Sequence, residues 1–212
     1  SLAAFIADES DKLLVVSSDH YIADSSAFNS SVNQGINLLQ KGHLTIFGIT
    51  PVNANINYGY IKKGKNIDAN GFIVEKFVEK PSEEVAKEYI NSNDYLWNSG
   101  IFLFNAKNFL NELKIYNPNI YNNCSNAILN AKTGEDFIRP SKTHFSKCDN
   151  ISVDYAVMEH TKKAAMIPLN AGWSDLGSWN SMWEHGPHDK NNNVIKGEVI
   201  SHNVHNSYIE SE

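Results

Sequence analysis

The chain has 212 residues, 42% of them hydrophobic and 20% charged, with a net charge of -6, enough to bury a substantial core as one domain or one and a fraction. No stretch approaches the ~20 apolar residues of a membrane span, and no charged, apolar and small-residue leader is recognisable at the start. The basic residues are scattered lysines with Arg139 the single arginine, which argues against the contiguous basic face that nucleic acid requires, while one phosphate could still be held by a local Lys and backbone donors.

Ser1 stands where Met is usual, so the chain is expected to be a processed or trimmed piece of something longer. Residues 2–7 (LAAFIA) read as the end of a helix. The short continuous apolar run 13–16 predicts a central parallel strand buried on both faces. It stops at Ser17, Ser18, Asp19 and His20, which puts Asp19 at the ligand-binding edge of a sheet. Phe28, Val32, Ile36 and Leu39 mark the buried stripe of a helix ending near Gly42. Residues 44–50 form the next strand, halted by Pro51, and strand, helix, strand in this order predicts a βαβ unit in a mixed but largely parallel sheet. In NYGYIKKG, Tyr58 and Tyr60 read as ordinary strand residues, and Gly59 either weakens the strand or admits a close approach to its backbone.

After FIVEKFVEK a helix is predicted with Ser82 as N-cap, Glu83 and Glu84 at its positive end, and Val85, Ala86, Tyr89 and Ile90 on its buried face. Glu79 and Lys80 point to opposite faces if strand geometry persists. Either they are an exposed charge pair, or one meets a sugar hydroxyl and the other a phosphate. In the apolar strand YLWNSGIFLF an unpartnered Asn98 amide would cost ~1 to 3 kcal/mol, so Asn98 must bond backbone or ligand. Helices around 107–113 and 120–131, separated by Asn117-Pro118, suggest a small insertion beside the sheet. ISVDYAVMEHT reads as a helix preceded by Ser152, with Asp154 a structural residue in its first turn.

The apolar run 164–169 then leads into AGWSDLGSW. Gly172 and Gly177 permit tight turns, Trp173 and Trp179 supply stiff walls, and Asp175 sits between them. Asp175 is either a ligand-binding carboxylate at a strand's end or the N-cap of a helix starting near Ser178. From Val194 the texture changes to short β-like runs, where His202 and His205 read as surface or strand histidines. Cys124 and Cys148 have no metal-type or redox-type spacing and are expected to be reduced structural thiols of a cytoplasmic protein.

Together SSDHYI, TIFGITPVNANINYGYIKKG, FVEKPSEEVAKEY, YLWNSGIFLF, SVDYAVMEHT and GWSDLGSW resemble the mannose-1-phosphate guanylyltransferases in order and approximate spacing across almost the whole chain. The resemblance implies a mixed α/β, Rossmann-like nucleotidyltransferase fold over residues 1–190, truncated at its N-terminus, with residues 191–212 starting a C-terminal β region. It implies transfer of GMP from GTP to mannose 1-phosphate. It further implies that Asp19 and Asp175 hold Mg²⁺, that Glu79 and Lys80 contact the sugar ring and sugar phosphate, that Gly59 lets the backbone approach the sugar, that Asn98 bonds its hydroxyls, and that Trp173 shapes the site. Asp19, Asp175 and Lys80 would be the catalytic set. A soluble cytoplasmic homodimer that binds neither nucleic acid nor membrane is expected for the intact protein. Nothing before Leu13 matches the family's Gly-rich loop with its Arg and Lys, and Ser17-Ser18 replaces the usual Pro-Ala. By itself the chain is therefore expected to have little or no transferase activity. The competing expectations are a pyrophosphorylase for another hexose 1-phosphate or nucleotide, and a non-catalytic sugar-nucleotide-binding subunit.

Overall fold

In the computed structural model, which describes residues 1–67 and 70–211, the apolar runs become the strands of one sheet. The last residue of the expected C-terminal β region, Glu212, lies outside the described residues. The order is α1 (Leu2–Ile6), β1 (Lys12–Val15), β2 (Tyr21–Ile22), α2 (Ser25–Gln40), β3 (Leu44–Ile49), β4 (Tyr60–Asn66), β5 (Phe72–Val78), α3 (Glu83–Ser92), β6 (Tyr95–Asn105), α4 (Ala106–Tyr116) and α5 (Pro118–Leu129). A small hairpin of β7 (Lys132–Thr133) and β8 (Ile138–Arg139), α6 (Lys142–Phe145) and a π-helical turn at Asp154–Met158 follow. Then come β9 (Ala164–Pro168), β10 (Trp173–Ser174), α7 (Trp179–His185), β11 (Val194–Lys196) and β12 (Tyr208–Glu210). Local chemistry sets several ends: Asp24 accepts the Ala27 N–H to start α2, and Ser82 and Asn117 cap α3 and α5 through Val85 and Ile120.

The six-stranded sheet has the order β1-β6-β3-β9-β5-β4, and the long β6 also pairs with β4. The sheet is mixed, as expected. β1, β3, β4 and β9 run one way and β5 and β6 the other, yet within this sheet the parallel pairing among the described residues is β3 with β9, Leu44↔Ala164 through Gly48↔Pro168. The unit β1, α2, β3 does not join neighbouring strands, because β6 lies between them.

One expectation is overturned. β1 pairs with β6 alone and is not a strand buried on both faces, since Leu14, Val15 and Val16 are 40%, 41% and 52% exposed. An apolar run signals a strand, but its burial depends on which neighbours the tertiary fold supplies. The buried strands are β3 and β9, whose residues pack into cores on both faces. On one face Ile46, Phe102, Phe104 and Met166 meet Phe109 and Leu113 of α4. On the other, Phe47, Leu103 and Ile167 meet Leu38 and Leu39 of α2. Each such side chain contributes about 1.5 to 3 kcal/mol by leaving water.

Cys124 and Cys148, which the sequence treats as unrelated, have Sγ atoms 3.7 Å apart. Both are free, and burial followed by the Cys148 hydrogen bond pushes the Cys124 thiol up to about 11. At neutral pH that leaves it a poor nucleophile.

Candidate active site

The site begins where β9 ends. Leu169 continues the edge by donating to Gly48 O, and Gly172 turns the chain at φ +61°. A Cβ on Gly172 would lie 2.7 Å from the Ala23 Cβ, so glycine lets two strands close against each other here. The result is an antiparallel ribbon of β2 and β10, with Trp173 opposite Ile22 and Ser174 opposite Tyr21. Asp175 follows Ser174 and His20 precedes Tyr21 at that end of the ribbon. Asp175, half-buried, thus follows one strand of the ribbon, and Asp19 lies exposed in the turn before the other.

Asp175 is held by donors. Its Oδ1 accepts the Tyr58 hydroxyl at 2.8 Å and the Gly177 N–H at 3.1 Å. A Cβ on Gly177 would come within 2.9 Å of Asp175 Oδ2, so the loop needs glycine there to fold back over the carboxylate. The cap reading of Asp175 fails, because Ser178 caps α7 by accepting the Ser181 N–H. Tyr58 packs edge-on to Trp97 and Trp173, and burial followed by the Asp175 hydrogen bond drives its phenol pKa far up. It therefore stays a donor across the working pH range. Trp173 Nε1 donates to His20 Nδ1 at 3.2 Å, which fixes the imidazole edge-on to the indole.

The other half of the site is built from strand ends. β5 stops at Val78, and Lys80 takes a left-handed φ of 48°. Strand geometry therefore does not persist, and the expected opposite-facing pair is instead a same-side pair, with Lys80 Nζ 3.8 Å from Glu79 Oε1. Strain of this kind in a non-glycine residue concentrates at ligand clamps. Glu79 Oε2 is buried without a hydrogen-bond partner. A Cβ on Gly59 would lie 2.3 Å from that oxygen and 3.2 Å from the Asn98 Cβ, so the close approach that Gly59 admits is made by Glu79 and Asn98.

Asn98 does find partners, and they are protein groups. Its backbone N–H donates to Gly59 O at 2.8 Å, its Oδ1 accepts the Gly100 N–H at 3.0 Å, and its Nδ2 donates to Asp154 Oδ1 at 2.8 Å. The helix expected around Asp154 is a single π-helical turn whose N-cap, Val153, makes no side-chain cap bond. Asp154 is in the first turn of that segment, as expected, and it also lines the cavity. Burial first, and then the Asp154 charge, push the Glu79 carboxyl up to about 7, with Lys80 opposing.

Ser17, Tyr58, Gly59, Glu79, Asn98 and Asp154, with Trp173 and Asp175, line one open cavity of about 170 Å³. On the far side of Tyr58 and Trp173 lies a polar cavity of about 330 Å³ bounded by Asn53, Asn55, Ser181, Glu184 and His185. Five of the sequence-predicted residues, Gly59, Glu79, Asn98, Trp173 and Asp175, share the first cavity, while Asp19 and Lys80 lie outside its lining. Tyr58, His20 and Asp154 were missed as site residues. Tyr58 adjoins the singled-out Gly59 and His20 adjoins Asp19, but no local pattern distinguishes Asp154 from a helix-start aspartate. Among the described residues no group of three or more His, Cys, Asp or Glu forms a metal cage. Asp175 and Asp19 offer carboxylate oxygens, ligands of the kind a hard divalent cation takes while keeping other positions for water or phosphate.

Comparison with known proteins agrees with this architecture. The nucleotidyl transferase family model matches residues 1–192. The chain is 44% identical over 217 aligned residues to a mannose-1-phosphate guanylyltransferase of Salmonella muenchen, covering 100% of this chain and 46% of that protein. It thus spans about half the length of the curated relatives it matches. Among solved structures, a mannose-6-phosphate isomerase from Helicobacter pylori superposes with a TM-score of 0.75 at 36% identity, over 82% of this chain and 67% of that one. A mannose-1-phosphate geranyltransferase from Thermus thermophilus gives a TM-score of 0.75 at 27% identity, over 88% of this chain and 53% of that one. With a family model matched along nearly its whole length, the chain belongs to the nucleotidyl transferase family.

Proposed function

We propose that the protein carrying this chain transfers GMP from GTP to mannose 1-phosphate, giving GDP-mannose and pyrophosphate. The observation that carries this reading is that Asp175, held by Tyr58, shares one cavity with Glu79, Asn98 and Gly59. The likeness to named mannose-1-phosphate guanylyltransferases supports the choice of sugar and base.

In this reading Asp19 and Asp175 hold Mg²⁺, and Tyr58 and the Gly177 N–H fix the orientation of Asp175. The bound ion supplies positive charge against the phosphate oxygens. Glu79 accepts from sugar hydroxyls, Asn98 offers its remaining amide hydrogen, and Gly59 keeps the pocket deep enough for both. Lys80, on its exposed turn, reaches the sugar phosphate. The phosphate oxygen of mannose 1-phosphate attacks the α-phosphorus of GTP. One P–O bond forms there as the bond to the β-phosphate oxygen breaks, and the electron pair leaves with pyrophosphate. No side chain becomes covalently attached, so alignment and charge neutralisation supply the rate.

The test uses the intact protein with GTP, Mg²⁺ and mannose 1-phosphate, following GDP-mannose. Formation of GDP-mannose, with tighter binding of mannose 1-phosphate than of glucose 1-phosphate, is expected. Equal weak binding of both sugars would discard the mannose assignment.

A further inference from the structure

Cys124 and Cys148 stand apart from the candidate active site and are placed for chemistry of their own. Cys124 is buried on α5 and Cys148, partly exposed, lies in the segment after α6, with the two sulfurs 3.7 Å apart. Both line a cavity of about 420 Å³ that Ile120, Phe145 and Asn150 also bound. A small molecule entering there meets Cys148 first and finds Cys124 directly behind it.

The segment around Cys148 is loosely held. Residues 146–152 belong to no helix or strand, and 149–152 are exposed. Asn123 Nδ2 ties the segment to α5 through Lys147 O at 3.4 Å, a long bond from an amide that also donates to Asn119 O at 3.0 Å. Beyond Val153 the chain enters the π-helical turn, whose first residue, Asp154, accepts from Asn98 in the wall of the candidate active site. Cys148 precedes Asp154 by 154 minus 148, or six, positions. A covalent anchor at Cys148 would therefore restrain the chain that leads into that wall.

We propose that Cys124 and Cys148 are a thiol-modification site, which closes into a disulfide by exchange with a low-molecular-weight disulfide and so clamps residues 146–152 onto α5. The Cys148 thiolate attacks one sulfur of the small disulfide, whose S–S bond breaks and releases one thiol. Cys124 then gives up its proton and attacks Cys148 Sγ, releasing the second thiol. In all, two protein thiols lose two electrons and one small disulfide is reduced to two thiols. Closing the bond brings the sulfurs from 3.7 Å to the ~2.05 Å of a disulfide. The buried Cys124 suits the second step, because proximity replaces the reactivity that burial removes.

The test incubates the intact protein with dithiothreitol or with glutathione disulfide, blocks free thiols with N-ethylmaleimide and maps the peptides by mass spectrometry. A linked Cys124–Cys148 pair that dithiothreitol reopens is expected. Cys124→Ala should instead retain glutathione on Cys148, and Cys148→Ala should acquire it on Cys124 about tenfold or more slowly, since that thiol is buried. Hydrogen exchange then compares oxidised with reduced wild type, which needs no substitution. Amides of residues 146–152 should exchange about tenfold or more slowly in the oxidised form, because the bond closes the chain across 24 positions and restricts local opening. Wild type that keeps glutathione on Cys148, or that stays unmodified, would overturn the disulfide. A linked pair that leaves exchange of residues 146–152 unchanged would overturn the clamp.

Discussion

Asp175 and Glu79 line the same cavity, but the fold treats them in opposite ways. Asp175 sits on a two-stranded ribbon, next to water, with two donors on one oxygen and a glycine folded over the other. Glu79 sits at the end of a sheet strand, with one oxygen buried and no donor on it. The first is a carboxylate kept in place with its charge compensated, suited to a cation. The second is a carboxylate whose charge is made costly, suited to a ligand that supplies hydrogens. Identical functional groups acquire different tasks from hydration and from their donors, not from residue type.

The largest expected effect tests the ribbon side. Asp175→Asn in the intact protein should lower turnover roughly a thousandfold, as expected when a charged ligand that acts in the transition state is lost, while GTP binding is preserved. Steady-state kinetics beside a nucleotide titration checks this, and unchanged turnover would remove Asp175 from the cation's grip.

Gly59→Ala tests the pocket side. The new Cβ would fall 2.3 Å from Glu79 Oε2 and 3.2 Å from the Asn98 Cβ, so the carboxylate and the amide must both move. The expected cost is about 1 to 3 kcal/mol of stability, the usual scale for overpacking, together with loss of sugar-phosphate affinity. Chemical denaturation and ligand titration read the two effects. A variant of wild-type stability and affinity would mean that Glu79 swings aside freely and is not seated.

How much of this contrast could be read from the sequence follows its physical origin. The place of Asp175 in the cavity was legible because it lies beside turn signals at the end of an apolar run, between Gly172 and Gly177. The α2 stripe and the Ser82 cap were legible for the same local reason. The place of Asp154 in the cavity was not, since its hydrogen bond comes from Asn98, 56 positions away, which no periodicity reports. Nor was the open edge of β1, because apolar character marks a strand and not the number of its neighbours. Cys124 and Cys148 meet through the packing of α5 against the segment after α6, which spacing rules for cysteine do not encode.

Glu79→Gln sharpens the comparison through pH. The folded-state carboxyl is raised from 4.5 to about 7 by burial and then by Asp154. Between those values the native chain holds a proton that the unfolded chain has released, so stability falls as pH rises through the window and the deficit persists above it. Removing the charge should leave the variant close to wild type near pH 4.5 and more stable by about 2 kcal/mol at pH 8, less than the full shift implies because solvent screens part of the carboxyl. Urea titrations at the two pH values measure the difference. A variant equally displaced at both would show that Glu79 is solvated like an ordinary surface glutamate.

Tyr58→Phe carries the smallest effect and addresses the joint between the two halves. The ring's edge-on contacts with Trp97 and Trp173, at 4.9 and 5.5 Å between centroids, survive the change, while the 2.8 Å hydrogen bond to Asp175 does not. The direct stability loss should be about 1 to 2 kcal/mol, because a half-buried carboxylate oxygen keeps only the Gly177 N–H. If the hydroxyl serves to orient Asp175, turnover at limiting Mg²⁺ should fall several-fold and recover as Mg²⁺ is raised, with mannose 1-phosphate affinity unaffected. Should sugar affinity fall instead while the Mg²⁺ dependence stays constant, Tyr58 would belong to the pocket and not to the ribbon, and the division between two carboxylate environments would have to be redrawn at that ring.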